Sequence, residues 1–413
     1  MNYFSSKGSL ENKTTKNQNS KRFILPAKAG MLHYCTGCFQ INQCFWLIFT
    51  HPLVCLMDVP RPIKVPSPMS LNTSFQSDNR AHQNTSDLTV ITQRNQLDDC
   101  IHPGTVAWSD SEGQPIQVSK NPTKPVFLRS CAKLFQAIPL ITSNAYKLLT
   151  DEELAITCSS HNGSQYHQTL AQKILRKASL NKSHLQCGTH PPIEQSERHR
   201  CIREKIAPSA LHHNCSGKHA GMLLTCVSNQ WPIENYLHAE HPLQQEILSH
   251  IITMGQIEAD LDPQSNQPSI QTATDGCGVP TFYLPIQKAA QLFAQWSKTS
   301  VTEPLRQAIS RNPVAFGGAD RVDSAIVKAT QGKIIAKVGA DGLLAACNTQ
   351  NHQGIAYKIH SGNETYRNIA FCHLLKKSGW LTDKEWAHSA LSSHINTTLK
   401  NAAGKDIGEI LIQ

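Results

Sequence analysis

The stretch Gly332-Lys333-Ile334-Ile335-Ala336-Lys337-Val338-Gly339-Ala340-Asp341-Gly342-Leu343-Leu344-Ala345-Ala346 leaves this chain little choice of local structure. Apolar and β-branched residues on either side of a glycine turn read as a strand, a turn and a second strand. Ile355–Ile359 adds another strand. Strand-like runs also come early, at Leu88–Thr92 and Gly104–Trp108, the second closed by the turn residues Asp110-Ser111-Glu112-Gly113, so a short β-meander opens the folded part. Between these sets the apolar residues recur at helical spacing, in a helix beginning near Ser130, one starting at Asp151, others over 168–182, 286–296 and 303–310, and a closing helix over 368–376. The pattern is mixed, α/β (α+β). With 413 residues the chain can bury a large core, as two domains or as one body with an appendage.

Charge decides whether an anionic polymer is a partner. The formal net charge is +9, but residues 1–85 hold nine Lys/Arg against three acids, so the rest carries only about +3. Nucleic-acid binding by the body is excluded on that ground. Fourteen cysteines, scattered through apolar runs such as Ala155-Ile156-Thr157-Cys158, read as mostly buried free thiols of a cytoplasmic protein. Residues 1–85 pass from a basic polar head to an apolar run, Cys44–Met57, then to a Pro/Ser/Asn-rich tract. The run is short for a bilayer and broken by His51-Pro52, so stable membrane association is not expected. A disordered extension, or a start at Met57 or Met69, is the reading preferred over a weak anchor, and over a zinc site at Cys35 and Cys38. Lys400–Gln413 reads as a short tail, and the chain divides at 1–85, 86–390 and 391–413.

Five places concentrate reactive groups. Ser130 and Lys133 stand three residues apart on a helical segment, so both point from one side of its first turn. A desolvated lysine can take the proton of a serine nucleophile there; the competing reading is an N-cap serine and a solvated lysine. The run ending Ser159-Ser160-His161-Asn162-Gly163-Ser164 delivers small polar groups either to a cleft or to a capped turn. Leu211-His212-His213-Asn214-Cys215-Ser216-Gly217-Lys218-His219-Ala220-Gly221-Met222 packs a thiol, hydroxyl, amine and three imidazoles together, with glycines that permit close backbone approach. Cys277 follows in a glycine-rich loop, Asp275–Pro280; two thiolates and a nitrogen donor suit zinc. Lys337 points into a cleft or faces water from an edge strand.

These blocks, Arg129-Ser130-x-x-Lys133-x-x-Gln136-Ala137, Ser159–Gly163, Asn214–Met222, Asp275-Gly276-Cys277 and Lys337-x-Gly339-Ala340-Asp341-Gly342, resemble in the same order the asparaginase II family, the thermolabile, rhizobial type, over roughly residues 86–390. The resemblance implies hydrolysis of L-asparagine to L-aspartate and ammonia. It implies a fold similar to serine β-lactamases and penicillin-binding proteins, with an antiparallel sheet flanked by helices, beside which the remaining segments make a helical cluster. It makes Ser130 the nucleophile, Lys133 its base, Lys337 a second lysine that brings a proton to departing ammonia, and Cys215, Lys218 and Cys277 the ligands of a zinc ion (Zn2+) that positions substrate; the family's second serine falls at Asn162 here, so either Ser160 substitutes for it or the second serine–lysine pair is incomplete. Arg129, His161, Asn162, Asn214, His219 and Arg321 are the expected substrate-binding residues. The partner is then a small molecule, and a homodimer is an assembly open to the chain. Family members often carry a second serine where Asn162 stands, glutamate where Ser164 stands, His-Asn-Asn at His212-His213-Asn214 and aspartate-glycine at Ser361-Gly362. Another small amide (glutamine, a β-lactam), or a zinc-binding relative without turnover, are the alternatives these departures keep open.

Overall fold

The computed structural model describes residues 87–119, 121–257 and 270–413. The apolar run, the Cys35/Cys38 pair and the two candidate start sites fall outside those residues.

Asp341 and Gly342 sit at φ 55° and 88°, the left-handed pair that a two-residue hairpin turn requires and that aspartate-glycine tolerates. They join Ile334–Val338 to Leu343–Asn348 in antiparallel register. The hairpin closes one side of a five-stranded sheet with the order Pro115–Val118, Gly104–Ser109, Gln353–Ile359, Leu343–Asn348, Ile334–Val338. Alternation along these strands separates two cores. Ile335, Leu343, Ala345, Cys347 and Ala356 share one with Ala289, Ala290 and Phe293 of helix Ile286–Lys298. Ile334, Ala336, Leu344, Ala346, Ile355 and Tyr357 share the other with helices Val322–Ala329 and Glu364–Lys377. Helix Ile286–Lys298 comes so near the sheet that a Cβ on Gly354 would lie 2.0 Å from the Ala290 carbonyl oxygen. The fold is an α/β arrangement of antiparallel sheets flanked by helices.

Two smaller sheets depart from expectation. Val90–Arg94 and Leu97–His102 do not continue into Gly104–Ser109 as one meander; they join Asp406–Ile412 and Thr398–Lys400 in a separate four-stranded sheet. Residues 391–413 are therefore not a tail: Asp406–Ile412 supplies the ladder partners of Val90–Arg94, and the buried Ile410 joins the core. A three-stranded sheet, Pro125–Phe127, Pro280–Pro285 and Gln271–Thr274, runs at one end into the turn carrying Ser130 and holds the Cys277 loop between two of its strands.

The segment expected as one helix from Ser130 is three pieces: a tight turn Arg129–Ala132, then Lys133–Gln136 and Ile138–Thr142. Pro139 has no N–H to continue the ladder, which is the physical reason for the last break. Helices Asp151–Thr157, Gln165–Lys177, Gln195–Arg203, Ser216–Ser228 and Pro242–Gly255 make the helical cluster. All ten described cysteines are free and nine are buried. Among the described residues no helix is long and apolar enough to cross a membrane.

Candidate active site

Arg129 holds a left-handed backbone, φ 47°, which costs a non-glycine residue about 1 kcal/mol or more. Its surroundings enforce it. The Arg129 N–H donates to Thr281 Oγ1 at 3.1 Å, its Nε donates to Asp275 Oδ1 at 2.7 Å, and its Nη1 pairs with Asp341 from the hairpin turn. Ser130 follows directly, half-buried, and among the described residues its hydroxyl has no hydrogen-bond partner. It does not cap the helix, as the competing reading required.

Lys133 is 1% exposed rather than solvated, and its Nζ donates to Ser160 Oγ at 2.8 Å. Ser160 stands just past the end of helix Asp151–Thr157, where the chain leaves the helix with its polar groups turned inward. From the opposite side the Lys337 Nζ reaches the same hydroxyl at 3.1 Å. Lys337 does lie on an outer strand of the five-stranded sheet, but helix Val322–Ala329 covers that edge and the side chain is 0% exposed. Asp323 on that helix sets an oxygen 3.1 Å from Lys337 Nζ, and the Phe316 ring lies 5.6 Å away. Burial pulls the Lys337 amine down to about 8, with Asp323 opposing the fall. Burial would raise the Asp323 carboxyl, but Lys337 and Arg321 outweigh it and bring it to about 2. One hydroxyl is thus gripped by two buried amines, one of them ion-paired.

The 211–222 block forms the adjoining wall. Helix Ser216–Ser228 packs against Asp151–Thr157 so tightly that a Cβ on Gly217 would lie 2.6 Å from the Ile156 carbonyl oxygen, the close approach anticipated from its glycines. Lys218 Nζ lies 3.0 Å from Cys277 Sγ. Contact with Cys277 draws the buried Cys215 thiol well below its usual range, Lys133 and Lys218 adding to this against the effect of burial. Burial pulls Lys218 down, yet the two sulfurs outweigh it and its amine is raised. His219 Nδ1 and the Tyr236 hydroxyl share a hydrogen bond at 2.8 Å. Two sulfurs and an amine, with Cys277 touching both Cys215 and Lys218, are a donor set that fits zinc. A second group was not anticipated: Glu197, Cys201 and His212, whose ligand atoms lie within 4.8 Å of one another, could also hold a metal ion. Both Glu197 oxygens, however, already accept from Arg200 at 2.8 and 2.7 Å. The Glu197 and Cys201 spacing of one helical turn was a legible signal for this pair.

The expected binding residues divide. Arg129 lies beside Ser130, and Asn214 adjoins the cysteines, its Oδ1 accepting from Cys215 Sγ at 3.2 Å. Asn162 packs its amide against Gly318 and leaves Oδ1 buried without a partner. His161 uses both ring nitrogens inside the fold: Nδ1 accepts from the Gly163 N–H and Nε2 donates to Ser216 Oγ, each at 3.0 Å, so this ring is a support for the wall. Ser164 caps helix Gln165–Lys177. Arg321 is partly buried, its Nε 3.6 Å from Asp323 Oδ1. Asp323, Asp275 and Thr281 were missed as site residues; an acid at Asp323 inside Val322-Asp323-Ser324-Ala325-Ile326-Val327 was the visible anomaly.

The family model described as L-asparaginase II matches residues 90–412. No curated protein matches the chain. Among solved structures it is similar to a beta-lactamase/D-alanine carboxypeptidase from Pseudomonas syringae, at 13% identity and TM-score 0.31 over 71% of this chain and 94% of that one. It is similar to D-alanine carboxypeptidase AmpC from Burkholderia cenocepacia, at 11% identity and TM-score 0.32 over 71% and 94%. It is also similar to EstCE1, a hydrolase with promiscuous acyltransferase activity, at 11% identity and TM-score 0.28 over 68% and 90%.

Proposed function

This chain belongs to the L-asparaginase II family, and from that premise we propose that it is a serine-dependent amidohydrolase of the thermolabile, rhizobial type, cleaving the side-chain amide of L-asparagine to L-aspartate and ammonia. The observation that carries the reading is the Ser160 hydroxyl shared by Lys133 and Lys337, next to the unpartnered Ser130. In the first half-reaction Ser130 Oγ attacks the amide carbon and its proton passes to Lys133. Backbone N–H groups of the turn around Ser130 hold the oxyanion. The C–N bond then breaks as the nitrogen takes a proton from Lys337 through Ser160, leaving an acyl-enzyme. In the second half-reaction water attacks, its proton returns to Lys337 through Ser160, and Lys133 returns its own to Ser130.

Cys215, Lys218 and Cys277 would hold a zinc ion, with Lys218 deprotonated; bound there, it supplies a fixed positive charge that positions substrate. Free buried thiols support a reducing, cytoplasmic setting.

A second reading keeps the same residues and changes the substrate to another small amide, glutamine or a β-lactam. Asn162 with its unpartnered Oδ1, and Ser164 spent as a helix cap, favour it by altering the lining of the site. Ammonia release from asparagine and glutamine and β-lactam opening, with zinc measured on the same samples, separate the readings. Asparagine turnover that disappears in Ser130→Ala while zinc is retained is expected. Preference for another amide selects the second reading, and wild-type protein indistinguishable from Ser130→Ala on every amide sinks both.

A further inference from the structure

Lys337 and Asp323 form an ion pair in which both side chains are 0% exposed. A lone ammonium so far from water sheds its proton. Here a carboxylate answers it on one side while Ser160 receives it on the other. The carboxylate is itself fixed: Oδ1 accepts from the Ser324 N–H at 3.2 Å and faces Arg321, and Oδ2 accepts from the Val338 N–H at 3.4 Å as well as from Lys337. It therefore ties the start of helix Val322–Ala329 to the strand carrying Lys337.

We propose that Asp323 is a positioning residue of the reaction, aiming Lys337 at Ser160 and keeping that amine an ammonium, so that Lys337 is the proton donor to the departing nitrogen. The inference rests on the amide-hydrolase reading. When the C–N bond breaks its electron pair goes to nitrogen, which takes the Ser160 proton while Ser160 takes one from Lys337; Lys337 is left neutral until water supplies a proton in the second half-reaction. The other groups facing Lys337 are Arg321 ahead of the helix, Lys133 and Cys131 from the Ser130 turn, and Cys158 past helix Asp151–Thr157. Asp323 is the carboxylate among them.

The test compares wild type, Asp323→Asn and Asp323→Glu across pH, on the amide and on an aryl ester of the same acid, whose phenolate leaves without a proton. Asp323→Asn should lose roughly 100-fold in kcat on the amide and far less on the ester. The alkaline limb of the amide profile should move down by about one pH unit or more, because Lys337 deprotonates earlier, and Asp323→Glu should restore it. Equal loss on both substrates with an unmoved limb overturns the proposal. Should Asp323→Asn fail to fold, Lys337→Met and Lys337→Met/Asp323→Asn are compared. Equal turnover supports the inference, and a further loss in the double variant overturns it. Peptide-level acetylation of Lys337 against pH adds a readout independent of turnover. A lower midpoint in Asp323→Asn supports the inference even if no amide is cleaved, an outcome that would sink only the amide-hydrolase reading. An unchanged midpoint sinks the inference alone.

Discussion

Ser160 is where two amines meet, at 2.8 and 3.1 Å, and no other hydroxyl in the described residues is placed so. Replacing it by alanine leaves Lys133 and Lys337 without their common partner and interrupts the proton path. Ser160→Ala should therefore lower kcat by about 10²-fold or more, with zinc content and thermal unfolding close to wild type, as read by steady-state kinetics, metal analysis and calorimetry. The neighbouring residues explain why this role was only half legible. Ser159, Ser160 and Asn162 leave the same helix end within four positions, and spacing alone does not say which faces the amines. Packing decides: Ser159 is buried without a partner, Asn162 is turned to Gly318, and Ser160 alone of the three meets the lysines. His161, between them, is fully buried, and burial, with His167 and Lys133 adding to it, holds its imidazole well below the usual range. The unfolded chain takes up that proton below about pH 6.5 while the folded one does not, so this contribution to stability is present above that pH and is lost as pH falls. Urea midpoints should drop between pH 7.5 and 5.5, and less steeply in His161→Gln.

At the scale of elements, the wall of the site depends on two helices in backbone contact. A Cβ at Gly217 would meet a carbonyl oxygen of helix Asp151–Thr157, which cannot rotate away as a side chain can. Gly217→Ala should therefore destabilise the protein by about 1–3 kcal/mol, read as a lower urea midpoint. It should also reduce turnover, because the helix it displaces delivers Ser160. The glycines of this block announced the close approach, since their presence beside reactive groups in an otherwise apolar helix has no propensity reason. What they approached was not legible, because the partner helix lies about 60 residues earlier and nothing in the intervening chain encodes the docking. The Ser130 segment shows the opposite limit. Its apolar spacing suggested one helix, yet the ion pairs of Arg129 and the missing N–H of Pro139 divide it into three.

For the whole molecule, the two ends of the described body are strand partners. Asp406–Ile412 pairs with Val90–Arg94, and Thr398–Lys400 completes the sheet. Removing residues 397–413 would strip one side of Val90–Arg94 and expose a row of unpaired backbone groups. The expected outcome is a lower melting temperature and loss of soluble protein, with aggregation measured by light scattering. Unchanged solubility and melting would show that the end strands are dispensable. Their pairing was not readable in the chain, since a short strand far from its partner looks like any polar tail until closure of the fold brings the two together. By contrast, the hairpin over 332–346 was readable because turn chemistry and alternation are local, and a left-handed Asp341-Gly342 pair has few other uses. The same holds for the reactive residue types of the site: Ser130, Lys133, Cys215, Lys218, Cys277 and Lys337 stand out by chemistry and spacing. Which of them touch was decided by long-range packing. Lys133 turned to Ser160, an outer-strand Lys337 was sealed by a helix carrying Asp323, and Arg129 was pinned between Asp275 and Asp341. Local preference acts over a few residues, whereas burial and ion pairing act between residues that only the folded chain brings together.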